Sequence, residues 1–243
     1  MDQAQAQQTY YERTAAGYDH AHVKPGDEHY IALEYAIALA TMLGCTSLLD
    51  VGAGTGRALK FIRDRSPEIQ LIGVEPAEAL REQAVADLLD VRAGSGEALP
   101  FANEEFDAVI ATGVLHHVPD PAPVVAEMMR VCKRLLVVSD SNRFGQGSTP
   151  ARAAKVLIHK ARLWPAFETA RTRGKRYMES VDDGIFYSYS VFDSLPTVSS
   201  WADRAFVVPT DPQRPGFFGP ITSSPHAALV GVREPQEGWA GLP

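Results

Sequence analysis

Seven residues with three alternating glycines, Asp50-Val51-Gly52-Ala53-Gly54-Thr55-Gly56, carry the sharpest chemical signal in the chain. They lie between a short apolar run, Ser47–Val51, and a stretch of helical spacing, Gly56–Arg65, the context that gives such a turn meaning. Glycine is required where the backbone takes positive φ or must approach a ligand closely. A side chain at Gly52 or Gly54 would occupy the space of a ligand's sugar and tail. Glu75 closes the next apolar run, Gln70–Glu75. An acid there suits bidentate hydrogen bonding to ribose hydroxyls. A tight strand-to-helix turn without any ligand is the plain alternative, and Glu75 argues against it. The glycines follow G-x-G-x-G, and Arg57 stands where a dinucleotide loop wants its third glycine. Asp50, ahead of the glycines, would repel a pyrophosphate but suits a cationic amino-acid tail.

A second group of residues could move protons. His116 and His117 follow the apolar run Phe106–Thr112, and an imidazole at that point could serve as a general base. Either is a candidate, and both could instead order the loop or pack a cofactor's tail. Asp140 and Asn142 end a later apolar run and are candidates for touching an acceptor, with a capped loop as the alternative. Tyr10 and Tyr11 stand in an N-terminal helical stretch from which they could cover an acceptor or a cation. Phe186, Tyr187, Tyr189, Phe192 and Trp201 could wall an acceptor pocket or simply fill core. From Ala151 to Tyr177 eight lysines and arginines face the single acid Glu168, a net +7. Such a segment reads as a solvated helical face, as a site for an anionic acceptor or, last, as a nucleic-acid contact.

These residues need elements to position them. Ile31, Leu33, Ala36, Ile37, Ala40 and Leu43 recur at helical spacing within a helical stretch from Tyr10 to Leu43. Strands are expected at Ser47–Val51, Gln70–Glu75, Leu88–Val91 (weak), Phe106–Thr112 and Arg134–Asp140. Helices are expected at Gly56–Arg65, Ala77–Ala86 and Pro121–Cys132. Beyond them come a helical Ala151–Tyr177, a helix at Val191–Trp201, and strands at Ala205–Val208 and Ala227–Val232. The alternation predicts an α/β fold, a doubly wound, mostly parallel sheet with helices on both faces. Its ligands bind beyond the carboxyl ends of the strands. One domain is expected: a helical cap over 1–45, a cofactor-binding half over 46–140, and an acceptor-site insertion with the last strands over 141–243.

At 243 residues and 45% hydrophobic, the chain can bury one sizeable core. A net charge of −7 does not suit a nucleic-acid binder, whose affinity comes from neutralising phosphates. No membrane span is expected, because the most apolar stretch, Tyr30–Leu43, is broken by Glu34 and too short. Met1 to Gln8 lacks the basic and apolar regions of a secretory signal. The two cysteines, Cys45 and Cys132, form no C-x-x-C, which fits a reducing compartment, and a cytoplasmic protein is expected. No metal cluster is visible.

From Tyr10 to about Asp140 the chain resembles the class I S-adenosylmethionine-dependent methyltransferases, in particular the ubiquinone and menaquinone biosynthesis group. The resemblance rests on Tyr10 to Asp19, Leu48 to Gly56, Gly73-Val74-Glu75-Pro76, Gly94 to Phe101, Phe106-Asp107 and Val114 to Asp120. It implies S-adenosyl-L-methionine as cofactor, in agreement with the loop spacing, and a nucleotide-linked oxidoreductase and a catalytically silent binding module are the rival readings. By resemblance Gly52, Ala53, Gly54 and Gly56 line the methionine and ribose, with Asp50 ahead of them. Glu75 holds the ribose diol, Pro76 packs near the adenine, and Ser95 and Gly96 face the adenine edge. Thr112 and Gly113 lie beside the methionine, with His117 close by, and Tyr18 closes over the cofactor. Many relatives have Asp where Ser95 stands, and the usual Pro-Gly-Gly turn before the fifth strand is missing at Cys132-Lys133-Arg134. The implied activity is methyl transfer to oxygen or nitrogen of a small molecule, with an aromatic or anionic acceptor suggested by the later residues.

Overall fold

The computed structural model describes Tyr10 and residues 26–180, 184–211 and 224–234. Helix α1 (Glu28–Met42) is started by Asp27, whose Oδ1 accepts from the backbone N–H groups of His29 and Tyr30 at 3.0 Å each. Strand β1 (Ser47–Val51) then leads through the glycine turn to α2 (Arg57–Arg65), followed by β2 (Gln70–Glu75) and α3 (Glu78–Ala86). β3 (Val91–Ala93), β4 (Phe106–Thr112), a 3-10 turn over Leu115–His117, α4 (Pro121–Val131) and β5 (Cys132–Ser141) complete the alternating part. Val131 ends α4 and Cys132 begins β5 directly, so the missing Pro-Gly-Gly turn is matched by the absence of a loop.

Beyond β5 come α5 (Thr149–Lys160), α6 (Trp164–Arg171), β6 (Tyr177–Ser180), β7 (Gly184–Tyr187), α7 (Val191–Trp201), β8 (Arg204–Pro209) and β9 (His226–Val232). The main sheet has seven strands in the order β3-β2-β1-β4-β5-β9-β8, and β6 and β7 form a separate antiparallel pair. β1 to β5 are mutually parallel; β9 runs antiparallel to β5, and β8 antiparallel to β9. The expected doubly wound, mostly parallel sheet is therefore the observed one.

Every residue of β4 is buried, as befits a strand covered on both faces. Successive side chains point to opposite sides. Leu49, Val51, Val109, Ala111, Leu136 and Val138 join α4 and α7 residues in one core layer. Leu48, Ile110, Leu135 and Val137 join α1 and α2 residues in the other.

Three expectations need correction. The third strand lies at Val91–Ala93, because Leu88 takes φ +61 and is 92% exposed. The basic stretch is two helices with a break at Ala161–Leu163, where Arg162 takes φ +59, and Tyr177 opens a strand rather than closing a helix. The insertion after β5 thus holds a β-hairpin as well as helices. Tyr11 and Tyr18, both expected near the site, lie outside the described residues.

Candidate active site

The strand order reverses between β1 and β4, and the residues singled out above gather at the carboxyl ends of β1, β2, β4 and β5. After β1, Gly52, Gly54 and Gly56 all take positive φ, at +75, +55 and +79. Their reasons differ. A Cβ on Gly52 would lie 2.7 Å from Val114, and one on Gly56 would lie 2.2 Å from Leu89 Cδ1. Both therefore serve close packing, whereas for Gly54 no atom of the described residues lies within 4 Å of such a carbon. Ala53 is buried, and its N–H and that of Gly52 donate to the Val74 carbonyl at 3.0 and 2.8 Å.

Two carboxylates stand behind this turn. Asp50 is 1% exposed, and its Oδ1 is buried with no hydrogen-bond partner among the described residues. Burial raises its pKa from 3.8 to about 7; the Glu75 charge adds to the rise and Arg57 opposes it. Glu75, 5% exposed, accepts from Gly54 N–H at 2.9 Å and from Ala77 N–H at 2.7 Å. Burial pushes its pKa up against those two hydrogen bonds and Arg81. Its carboxylate braces the glycine turn and keeps lone pairs for further donors. Pro76 is exposed next to it. Ser95 is also exposed, its Oγ accepting from Glu97 N–H at 3.2 Å. Gly96 lets this loop approach Val124 and Val51, whose methyls would lie 3.0 and 3.1 Å from an added Cβ.

At the ends of β4 and β5 the two histidines part company. His116 Nδ1 lies 2.8 Å from Asp140 Oδ1, and its backbone N–H donates to Asp140 Oδ2 at 3.3 Å. Asp140 is 1% exposed and also accepts from Ser141 N–H at 2.6 Å. Burial alone would raise its pKa, but the His116 charge and hydrogen bond, helped by Ser141 and His117, hold it below the ordinary value. His117 Nδ1 instead meets the Ile185 carbonyl at 2.8 Å and so clasps the β6–β7 hairpin. The two rings lie 4.0 Å apart. The arrangement of Asp140 and His116, a buried carboxylate on Nδ1 of an imidazole, is what a general base needs for orientation and for stabilising its protonated form. His117 is committed to the hairpin.

Asn142 is fully buried, with Nδ2 donating to Ser224 O at 2.7 Å, Oδ1 accepting from Phe144 N–H, and its own N–H donating to Pro225 O. It is a loop staple. Tyr10 is buried. Thr112 is buried, and Gly113, at φ +70, donates its N–H to Ser139 O at 2.8 Å. An added Cβ on Gly113 would lie 2.6 Å from His29 Cε1, which brings into the site a residue that no sequence motif marks. His29 Nδ1 is buried with no hydrogen-bond partner among the described residues. Burial and then Arg57 drive its pKa down to about 3, so its ring is neutral. The only hint in the sequence is Asp27, a helix-capping acid two residues ahead of it.

The aromatic group divides. Tyr187 and Tyr189 line a cavity of about 250 Å³ together with Val118, Pro121, Asp193 and Thr197. Tyr189 is 5% exposed and its hydroxyl meets Ser194 Oγ at 2.8 Å. Phe192 and Trp201 pack on the core, and Phe186 pairs with Met178 in the hairpin. Among the described residues, no three His, Cys, Asp or Glu side chains are grouped to hold a metal. No described helix is long and apolar enough to cross a membrane.

The sheet order, the glycine turn and the acid closing β2 define the fold of class I S-adenosylmethionine-dependent methyltransferases. A family described as "Methyltransferase domain" matches residues 49–135. A possible histamine N-methyltransferase from Thermotoga maritima has the same fold, with TM-score 0.58, 20% identity, and coverage of 94% of this chain and all of that one. A plantazolicin methyltransferase solved with S-adenosylhomocysteine (SAH) aligns with TM-score 0.53 at 15% identity, covering 96% of this chain and 95% of that one. In sequence, a phosphatidylethanolamine N-methyltransferase from Cereibacter sphaeroides is 29% identical over 127 residues, 46% of this chain. The chain spans 57% of the length of that curated relative.

Proposed function

We propose that this chain is a methyltransferase that moves the methyl group of S-adenosyl-L-methionine to a nitrogen or oxygen of a small-molecule acceptor, with His116 as proton acceptor. The observation that carries the reading is the His116–Asp140 pair, which joins the 3-10 turn after β4 to the end of β5, with β4 next in the sheet to β1 and its glycine turn. The residues present fit the cofactor. Asp50 holds a buried carboxylate oxygen with no hydrogen-bond partner among the described residues, and among them no atom lies within 4 Å of where a Gly54 Cβ would stand. Asp50 would pair with the cofactor's ammonium, Glu75 would accept from its ribose hydroxyls, and Ser95 with Pro76 would flank its adenine. The neutral His29 ring, packed at Gly113, would flank the cofactor's methionine end.

The cofactor supplies an electrophilic methyl group on a sulfonium. The chain aligns the acceptor, excludes water and takes up the acceptor's proton at His116 Nε2. Asp140 fixes the tautomer with Nδ1–H toward itself and stabilises the imidazolium once the proton has moved. Nitrogen is the favoured acceptor atom. Two of the relatives named above are described as N-methyltransferases, and an ammonium acceptor must lose a proton before it can attack. The test is transfer of labelled methyl from S-adenosylmethionine to a panel of amines and phenols, with SAH and NAD titrated separately. Transfer to an amine with tight SAH binding is expected. Binding of NAD in preference to SAH would overturn the reading.

A further inference from the structure

The chain concentrates positive charge in one place, and the fold leaves that place outside the core. Neither α5 nor α6 contains a buried residue. The stretch 151–177 carries net +7, so the remaining chain carries net −14. Lys160, Arg162, Arg173, Lys175 and Arg176 are exposed. Among them stand Leu157 and Leu163, 67% and 57% exposed.

This arm is attached through a few contacts beside β5. Lys155 Nζ donates to the carbonyls of Arg143 and Gln146 at 3.0 and 3.2 Å. The Arg143 guanidinium lies 4.4 Å from the centroid of the Trp164 ring, and Phe144 meets His159 at 5.2 Å. The arm therefore rises from the sheet end that bears His116 and Asp140, and its exposed cations and leucines are not among the residues of those anchoring contacts.

We propose that α5, α6 and residues 172–177 dock on the surface of an anionic lipid bilayer. Lysines and arginines would meet the headgroups, while Leu157 and Leu163 enter the boundary between headgroups and acyl chains. Charge separation sets the orientation, because the acidic remainder is repelled by the surface that attracts the arm. Exposed leucines between cations fit a bilayer, whereas a phosphate backbone is held by cations and hydrogen-bond donors and leaves leucines without a role. Docked this way, the chain presents its catalytic sheet end to the membrane.

The test uses the full chain and sedimentation with vesicles of phosphatidylcholine, either alone or with about a third phosphatidylglycerol. Co-sedimentation with the anionic vesicles only, weakened by salt, is expected. Each cation near the surface contributes about 1 kcal/mol, or about fivefold in partitioning. The combined variant K160Q/R162Q/R173Q/K175Q should therefore lose at least a hundredfold, with its unfolding temperature and SAH affinity unchanged. L157S/L163S should weaken binding while keeping the salt dependence. Equal partitioning to both vesicle types, or no partitioning, would overturn the proposal. So would unchanged binding by the leucine variant, or displacement from vesicles by a short nucleic-acid duplex, which would make the arm a general polyanion site.

Discussion

Replacing Asp50 with asparagine should stabilise the free chain above neutral pH and at the same time weaken its hold on the cofactor. Burial lifts the Asp50 pKa from 3.8 to about 7. The folded chain then binds this proton more tightly than the unfolded chain does. The stabilisation is complete below pH 3.8 and is lost as pH rises through 7, where the fold must carry a desolvated charge. A rise of roughly three units at 1.36 kcal/mol each is about 4 kcal/mol, of which about 3 kcal/mol falls between about pH 5 and about pH 8. Asparagine has the same shape and no proton to lose. Urea unfolding of both proteins at the two pH values should show the variant gaining about 3 kcal/mol on the wild type as pH rises. Other groups titrate alike in both proteins and cancel in the difference. Calorimetry with SAH at about pH 8 should show the opposite effect. Loss of a charge-assisted hydrogen bond of about 1.5–3 kcal/mol weakens binding by roughly ten- to a hundredfold. Wild-type affinity should also rise with pH through 7, since binding requires the ionised form. Parallel stability curves for the two proteins, or an unaltered SAH affinity, would refute the argument.

Further consequences can be measured alongside. H116Q should lower kcat, measured at saturating cofactor, by about 10²- to 10⁴-fold, with SAH affinity unchanged. D140N should resemble it, because the His116 tautomer is then unsupported. G56A forces a methyl onto Leu89 at positive φ and should lose about 2–4 kcal/mol of stability in a urea titration. G54A meets open space, so it should cost only about 1–2 kcal/mol of backbone strain yet obstruct SAH in calorimetry. D193N replaces the ion pair with Arg143 by a neutral hydrogen bond at a carboxylate that is a third exposed, and should destabilise by about 1–2 kcal/mol. The two buried thiols, Cys45 and Cys132, are pushed up to about 12 by burial and should react with a thiol reagent only after unfolding.

What could be read from the sequence follows from where burial is complete. β1, β2, β4 and α7 have the expected bounds, because apolar runs or helical spacing are cut off there by glycines, charges or chain turns. β3 is an edge strand whose Arg92 and Ala93 are exposed, so it lacks the apolar run that marks a central strand, and the nearby Leu88 misleads. The β6–β7 hairpin pairs only with itself outside the main sheet, and its side chains are half-buried at best, apart from Gly184. The glycine turn announces itself by spacing alone, yet spacing cannot say that Gly56 answers to Leu89 while Gly54 answers to open space. Two adjacent histidines are equivalent as letters. The 3-10 turn over Leu115–His117 sends one ring to Asp140 and the other to Ile185. His29 carries no mark in the sequence because its neighbourhood is made by Gly113, 84 positions later in the chain.

Asn142 fastens the chain just beyond Asp140 to Ser224 and Pro225, and Gly145 lies so close to the Ser224 carbonyl that a Cβ would sit 1.8 Å from it. The insertion therefore departs from a riveted point on a strand already clamped by β4 and β9. Exchange of the whole arm and hairpin for another sequence would leave the aspartate's position unmoved. If His116 is the base, as proposed, the surroundings of the acceptor can change in such an exchange while Asp140 keeps its place, provided the new segment again supplies a partner for His117, as the Ile185 carbonyl does.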